Sequence, residues 1–380
     1  MTAPLRGLTW DHPRGYLVLD ALAAEPAPAV PVRWDRQSLE DFESRPLRTL
    51  ADDFDLLVVD HPGLGEAVRD GALRPLDAIF GYAGELAEWH AAAIGASFDS
   101  YQLAGRQWAL PLDAAAQVSV CRPDLMDGRP ASWAQAQQAA RANRTALCLG
   151  GPHALLMFSA ICVAAGPPPA ISSGLFVPEA AGTAALDIMA DLLAHADREV
   201  SQRNPIGVLD AMAAADGPAY CPLVYGYVTY QRASRERALL AAFDAPVGPG
   251  GIGSVLGGTG VAVTRSCTQP TAAAALIRTL LSERVQVGLF AELGGQSSAR
   301  RAWQDAEVDQ VNGGFYSATR ATVEHAWVRP RFAGYPAFQA EASAVLRDAL
   351  LRGEPHAAAV RRVNELFARA EAPAAEGAVG

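Results

Sequence analysis

Two copies of an Asp-His-Pro motif, each directly after an apolar run, are the residues of this chain best suited to chemistry. They are Asp11-His12-Pro13 and Asp60-His61-Pro62. An imidazole oriented by a carboxylate can transfer protons, read ligand hydroxyls or bind a metal ion. The same tripeptide is also ordinary turn chemistry, because Asp accepts hydrogen bonds from nearby amides and the residue before Pro avoids the helical region.

The elements that must position these motifs follow from the pattern around them. Apolar runs predict buried strands over residues 5–10 and 55–60, ending in tight turns, with further strands over residues 30–34 and 107–112. Helical stretches between them predict parallel βαβ units, in which ligands bind beyond the carboxyl ends of the strands. If the first two strands are neighbours, both motifs face one cleft.

Further elements are predicted downstream. Ser38 and Ser132 each begin a capping box, and residues 75–90 form another helix. A short buried strand is expected over residues 145–149, before a Gly-Gly-Pro turn and an apolar helix. The glycine-rich residues 249–260 precede a strand instead of following one, which favours a hinge over a dinucleotide loop.

Composition excludes several classes of function. The chain has 380 residues and a net charge of -10, with no basic stripe for nucleic acid. All 31 basic residues are arginine, so neither a Schiff-base lysine nor a Walker-type phosphate loop is present. The five cysteines are scattered and fit a reducing compartment.

No export signal is recognisable near residue 1, so the sequence as written predicts a cytoplasmic protein, or a periplasmic or extracellular one if a signal has been removed. No segment predicts a membrane span.

The ordered series of motifs resembles one family. Residues 55–60 followed by 70–77 are similar to the strand and G-x-L-x-P-L-D signature of bacterial extracellular solute-binding proteins of family 1. These are the maltose-binding-like receptors of ABC importers. Residues 105–111, 257–263, 271–283, 294–300 and 328–330 are similar to later blocks of the same family.

The resemblance implies a two-lobed α/β fold of the periplasmic-binding-protein type (type II), with a ligand held in the cleft between the lobes. The chain is expected to cross between lobes near Asp113, Gly260 and Gln310. Residues 1–112 and 261–310 would form the first lobe, and residues 113–260 and 311–380 the second, which is richer in helices. The tail after residue 371 is expected to be frayed.

The cleft predicted in this way gathers a set of candidate ligand-binding residues. Arg14 can hold a carboxylate through two hydrogen bonds, Trp10 offers a flat apolar face, and the turn at Gly151 can bind an anion at a helix start. A surface ion pair, helix capping, strand packing and a simple turn are the structural alternatives for these residue types. The full set is Trp10, Asp11, His12, Arg14, Tyr16, Asp60, His61, Asp113, Gln117, Gly151, His153, Tyr225, Tyr227 and Gln296.

The sequence therefore predicts a solute-binding protein that captures a small polar or carboxylated metabolite without catalysis. No cofactor, catalytic residue or metal ligand is assigned in this interpretation, and an ABC importer permease is an expected partner if the protein is exported. The alternative is an enzyme on the same scaffold, in which Asp11-His12 and Asp60-His61 carry out acid-base or metal-assisted chemistry.

Overall fold

A computed structural model describes residues 3–26, 28–80 and 84–372 of the chain. The strands are β1 Leu5–Trp10, β2 Val32–Gln37, β3 Leu56–Val59, β4 Gln102–Leu103, β5 Arg106–Gln107, β6 Leu110–Cys121, β7 Tyr220–Tyr225, β8 Ala241–Phe243, β9 Val247–Gly248, β10 Gly251–Ile252 and β11 Leu256–Val263. The helices are α1 Pro13–Ala23, α2 Leu39–Ser44, α3 Leu64–Arg69, α4 Asp77–Phe80, α5 Glu85–Ala92, α6 Trp133–Ala142, α7 His153–Ala165, α8 Glu179–Ala194, α9 Pro205–Ala213, α10 Pro270–Leu280, α11 Phe290–Leu293, α12 Ala306–Val311, α13 Phe315–His325, α14 Tyr335–Arg352 and α15 His356–Glu371.

One long strand joins the two lobes. The main sheet has the order β2-β1-β3-β11-β6-β7, with β8 also paired to β6. Residues 110–116 of β6 pair with β11, whereas residues 117–121 pair with β7 and β8. All twelve residues of β6 are buried, so the strand is covered along its whole length, from its pairing with β11 to its pairing with β7 and β8. The predicted crossover at Asp113 therefore lies inside a strand, which the sequence had placed only over residues 107–112.

The order of strands also decides where the two Asp-His-Pro motifs lie. β1 pairs in parallel with both β2 and β3, so the two motifs follow neighbouring strands, as predicted. β11 then pairs antiparallel with β3, which makes the sheet mixed. Both motifs therefore emerge at the same edge of the first lobe.

Several predicted elements are confirmed and others need correction. Ser38 and Ser132 cap α2 and α6, as expected. The helix predicted over residues 75–90 is two helices, α4 and α5, and residues 81–83 lie outside the described residues, as does the tail from residue 373. No strand forms over residues 145–149. This buried segment bonds instead to Tyr220 and to Ser201, whose hydroxyl and carbonyl oxygens accept from the amides of Leu147 and Leu149.

The third expected crossover, near Gln310, stays a prediction. Gln310 lies within α12, and residues 296–298 are the ones that bond alongside β6, through the Ala114 amide to the Gln296 carbonyl and a bridge between Asp113 and Ser297. The exact division of the chain between the lobes stays a prediction. Among the described residues, no helix has the length and hydropathy needed to cross a membrane.

Candidate functional site

Two adjoining cavities of about 60 and about 50 Å³ lie in the cleft. Both are lined by Phe42, Glu43, Asp60, Tyr225 and Arg329. Trp10, Arg14 and Tyr227 add to one cavity, and Pro152 and Gln339 add to the other. The lining comes from turns after β1 and β3, from α2 and from the segments around β7, α7 and α14. This is the interlobe cleft in which the sequence placed the ligand.

The first Asp-His-Pro motif begins helix α1. The Nδ1 atom of His12 accepts a hydrogen bond of 3.1 Å from the Arg14 amide, and Pro13 occupies the first turn, where it leaves no amide unpaired. Burial, with help from Arg14, lowers the pKa of His12 to about 3, so the ring is neutral. Asp11 points the other way: its side chain is 61% exposed and pairs with Arg36.

The second motif begins a short 3₁₀ helix, but here the aspartate caps it. The carboxylate of Asp60 accepts from the His61 amide at 2.9 Å and also lines both cavities. The His61 ring is fully buried, packs edge-on against Tyr101, and has its pKa lowered to about 4 by burial and by Arg329. The second motif therefore lines the cavities through Asp60, whereas neither Asp11 nor His12 of the first motif is among the lining residues.

Arg14 was predicted to hold a ligand carboxylate, and it holds one that belongs to the protein. Its Nε and Nη2 atoms donate to the two oxygens of Asp113 at 2.6 and 2.9 Å, while Nη1 donates to the Gly226 carbonyl. Both side chains of the pair are 4% exposed. Arg14 lines one of the cavities, but its carboxylate-binding edge is already occupied by Asp113.

Arg329 is a cleft residue that sequence reasoning did not select. Its Nη2 atom donates to both oxygens of Asp60, at 2.9 and 2.8 Å, and Nη1 donates to Gln339. Burial alone would raise the pKa of Asp60, but Arg329 and His61 outweigh it and lower the value to about 2. The Arg329 Nε atom is buried and has no hydrogen-bond partner among the described residues.

Aromatic rings form one wall of the cleft. Trp10 stacks on Phe42 with ring centroids 5.9 Å apart, and Tyr227 meets both Trp10 and His12 edge-on. The Arg14 guanidinium lies 4.9 Å from the centre of the Tyr227 ring. Tyr225 lines both cavities, and burial raises its pKa well above the ordinary range, so it stays a neutral hydroxyl. Such a wall presents apolar faces with hydrogen-bonding edges.

His153 lies against Glu43, which lines both cavities. The buried His153 ring at the start of α7 lies 3.6 Å from the Glu43 carboxylate and packs edge-on against Tyr225. Gly151 has a left-handed φ of 54° and is exposed, and its carbonyl accepts from Ser343. Neither Gly151 nor His153 lines the cavities, although Pro152 between them does.

Three further candidates lie outside the lining of the two cavities. The Gln296 side chain accepts from the Val228 amide and donates to the Ala114 carbonyl in β6, so its polar atoms are used in holding these two segments together. Gln117 is buried within β6. Tyr16 packs beneath the Arg36 guanidinium, outside the cavity lining. Residue type alone suggested these three residues for the site. Their burial or position keeps them out of the cavity lining.

The enzyme alternative finds little geometric support in the motifs that suggested it. Asp11 faces solvent, His61 is enclosed by protein, and Asp60 is bonded to Arg329, so the two pairs do not converge. Within the described ranges, no three His, Cys, Asp or Glu side chains are grouped so that they could hold a metal ion.

Together these features define a two-lobed protein of the type II periplasmic-binding fold, as the sequence predicted. Comparison with solved structures finds the same fold in maltose-bound MalE3 of T. maritima, with a TM-score of 0.80 and 18% identity over 96% of this chain and 99% of that one. A ribitol-bound ABC transporter solute-binding protein of Agrobacterium radiobacter K84 gives 0.79 and 19% identity over 97% and 98% of the two chains. A tagatose-bound one of Thermotoga lettingae gives 0.78 and 16% over 96% and 100%. No family model matches the chain, and curated proteins give no significant sequence match.

Proposed function

We propose that this protein is a solute-binding protein that captures a small, uncharged polyhydroxylated molecule, a sugar or a polyol, without changing it. The observation that carries this proposal is the internal neutralisation of the cleft. Arg14 is paired with Asp113 and Arg329 with Asp60, so each buried guanidinium already has its counter-ion. What is left for a ligand is aromatic surface with hydrogen-bonding edges, which suits a ring or chain of hydroxyl groups.

The size of the cleft supports a hinged capture mechanism. Cavities of about 60 and 50 Å³ are far smaller than the roughly 300–1,000 Å³ of a typical small-molecule site. A sugar therefore enters only after the lobes move apart, and it is enclosed when they close. The long strand β6, which pairs with β11 in its first part and with β7 and β8 in its last part, is the natural place for such bending.

Similarity of fold supports the same class of ligand. Solved structures with the same fold include proteins whose names record bound maltose, ribitol and tagatose. Two of these proteins are named as ABC transporter solute-binding proteins. The proposal therefore includes that the protein acts outside the cytoplasm and delivers its solute to the permease of an ABC importer.

A thermal-shift screen against sugars, polyols, organic acids, amino acids and amines tests this function. We expect at least one sugar or polyol to raise the melting temperature by mass action, because a ligand that binds only the folded state stabilises that state. NMR of the stabilising compound after prolonged incubation should show it unchanged. Steady loss of the compound would place the protein among enzymes, and a screen without any stabilising compound would contradict solute binding.

A further inference from the structure

We propose that Asp60 and Asp113 are specificity-determining residues that exclude anionic solutes from the cleft, because each occupies a buried guanidinium that a carboxylate or phosphate would otherwise bind. This inference rests on the proposed function and assigns its selectivity to two named carboxylates. It predicts that the protein discriminates between a sugar and the acid derived from it, and that one atom exchanged in either aspartate removes this discrimination.

The pair of Arg14 and Asp113 carries the first step. A guanidinium recognises a carboxylate through two parallel hydrogen bonds from one edge. Asp113 fills that edge with bonds of 2.6 and 2.9 Å, and the Gly226 carbonyl takes a further hydrogen at 3.1 Å. A ligand carboxylate at Arg14 would have to displace Asp113 and leave it buried without a partner, which is unfavourable.

The pair of Arg329 and Asp60 is arranged differently and shows what kind of ligand fits. Asp60 takes both of its bonds to Arg329 from Nη2, in addition to the bond it accepts from the His61 amide, so it cancels the charge of Arg329 while the buried Nε atom stays without a partner among the described residues. A hydroxyl oxygen can accept from that atom at no electrostatic cost. A carboxylate in the same place would stand beside Asp60, and like charges at close range repel strongly away from bulk water.

The other charged groups around the cavities point the same way. Glu43 faces both cavities and Glu66 faces one of them, so two acidic side chains remain. Arg45, the remaining basic lining residue of the described cavities, is exposed at the rim, where water screens it. An anion entering the cleft therefore meets acidic groups and two guanidinium ions that are already neutralised.

A purely structural role for the two aspartates makes a different prediction. If they serve only to fix the lobes, their replacement changes the stability of the protein and weakens all ligands alike. If they set selectivity, their replacement changes the ratio between an acid and its neutral parent. The ratio is therefore the informative quantity, and stability alone is not.

Isothermal titration calorimetry with matched probes tests the inference. The probes are ribitol with ribonate, mannitol with mannonate, and glucose with glucuronate, titrated at pH 7 into the wild-type full chain and into Asp60→Asn and Asp113→Asn. Asn keeps the shape and one oxygen acceptor but removes the charge. Asp191→Asn, which removes a carboxylate from the ion pair with Arg141 at the surface, is the matched control.

We expect the wild type and the control to bind a neutral probe and to bind its acid at least about tenfold more weakly. Each Asn variant at the cleft should improve the acid-to-neutral ratio by roughly 10- to 100-fold, the range that a charge-assisted hydrogen bond contributes. The gained acid binding should weaken as salt is added. If Asp113→Asn does not fold, the Asp60→Asn variant still reports the ratio, and the uncharged double variant Arg14→Gln/Asp113→Asn, which has no guanidinium at position 14 to bind an acid, should leave the ratio as in the wild type.

The outcomes separate this inference from the proposed function. Wild-type protein that binds an acid as tightly as its neutral parent overturns the inference, while solute binding stands. Variants that lose affinity for both members of a pair equally show a structural role and also overturn it. If no probe and no compound of the broader screen binds the wild type, both the inference and the proposed function are wrong.

Discussion

Asp60 and Arg329 lie 269 residues apart in the chain and form a buried ion pair through a single guanidinium nitrogen, with bonds of 2.9 and 2.8 Å. Arg329 is fixed on its other side by Gln339 at 3.2 Å, so the pair ties the end of β3 to the start of α14. This connection joins the cavity lining at Asp60 to α14. It also leaves both groups dependent on each other for compensation of their charge.

The first prediction concerns this dependence. Arg329→Met should lower the free energy of unfolding by about 3–5 kcal/mol, because it leaves the Asp60 carboxylate without its partner in a largely buried position. The double variant Asp60→Asn/Arg329→Met should recover a clear part of that loss, since no unpaired charge remains. Urea denaturation of both single variants and the double variant measures the coupling. Strictly additive losses would show that the pair is not coupled.

The second prediction is a loss of stability in weak acid. His12 and His61 have pKa values of about 3 and about 4 in the folded protein, lowered by burial, against roughly 6.5 in the unfolded chain. Between these values the unfolded chain takes up protons that the folded protein does not. Stability is therefore complete above about pH 6.5 and falls as the pH is lowered, by about 2 kcal/mol per histidine at pH 5.

His12→Asn is the variant that checks the origin of this effect. Asn keeps a side-chain oxygen that can cap α1 but cannot titrate. Unfolding free energies measured at pH 7 and pH 5 should differ by about 2 kcal/mol less in the variant than in the wild type. An unchanged difference would mean that His12 does not become protonated only on unfolding.

The third prediction uses a close approach between α3 and the segment before α14. A Cβ atom on Gly65 would lie 2.1 Å from the Arg331 carbonyl oxygen and 2.5 Å from the Phe332 carbonyl carbon. Backbone atoms cannot rotate away, so this clash outweighs the better helix propensity of Ala, about 1 kcal/mol. Gly65→Ala should destabilise the protein by about 1–3 kcal/mol in urea denaturation.

Gly63 provides the matched control for that substitution. A Cβ atom there would come no closer than 3.7 Å to the Leu47 side chain, so Gly63→Ala should stay within about 0.5 kcal/mol of the wild type. Equal effects of the two substitutions would show that the segment after Arg331 yields easily and that the contact carries no strain.

The two Asp-His-Pro motifs show how far local sequence reaches. Their apolar runs predict β1 and β3 to within a residue, and each motif begins a helix, as its turn chemistry suggests. The side chain that caps the helix is not predictable from the motif, because the first motif caps with His12 and the second with Asp60. That choice depends on distant partners, Arg329 for one motif and the aromatic wall for the other.

The residues that the sequence missed lack a local signal. Arg329 sits between Val328 and Pro330 in a segment noticed only for its resemblance to the family, and nothing near it in the chain indicates Asp60. Glu43 and Phe42 belong to α2, a six-residue helix without a buried side chain. Such a short helix is typical of a solvent-exposed surface element. They become cleft residues only because the second lobe packs opposite them.

The last prediction concerns the rim of the cleft, where Glu40 of α2 accepts a hydrogen bond of 3.1 Å from the side chain of Asn204. The same Asn204 caps α9 through its oxygen, which accepts from the Gly207 amide. Asn204→Asp therefore keeps the cap but replaces the donor at the rim with a second negative charge. Since the contact is exposed, the change should favour the open form by only about 1 kcal/mol, a roughly fivefold shift.

Small-angle X-ray scattering without ligand and calorimetric titration with a neutral probe measure that shift. The variant should have a larger radius of gyration and should bind the probe up to about fivefold more weakly, while its unfolding free energy stays within about 0.5 kcal/mol of the wild type. Glu40→Gln/Asn204→Asp, in which the amide and the carboxylate change places, should restore both values. A double variant as open as the single one would show that the rim contact does not hold the lobes together.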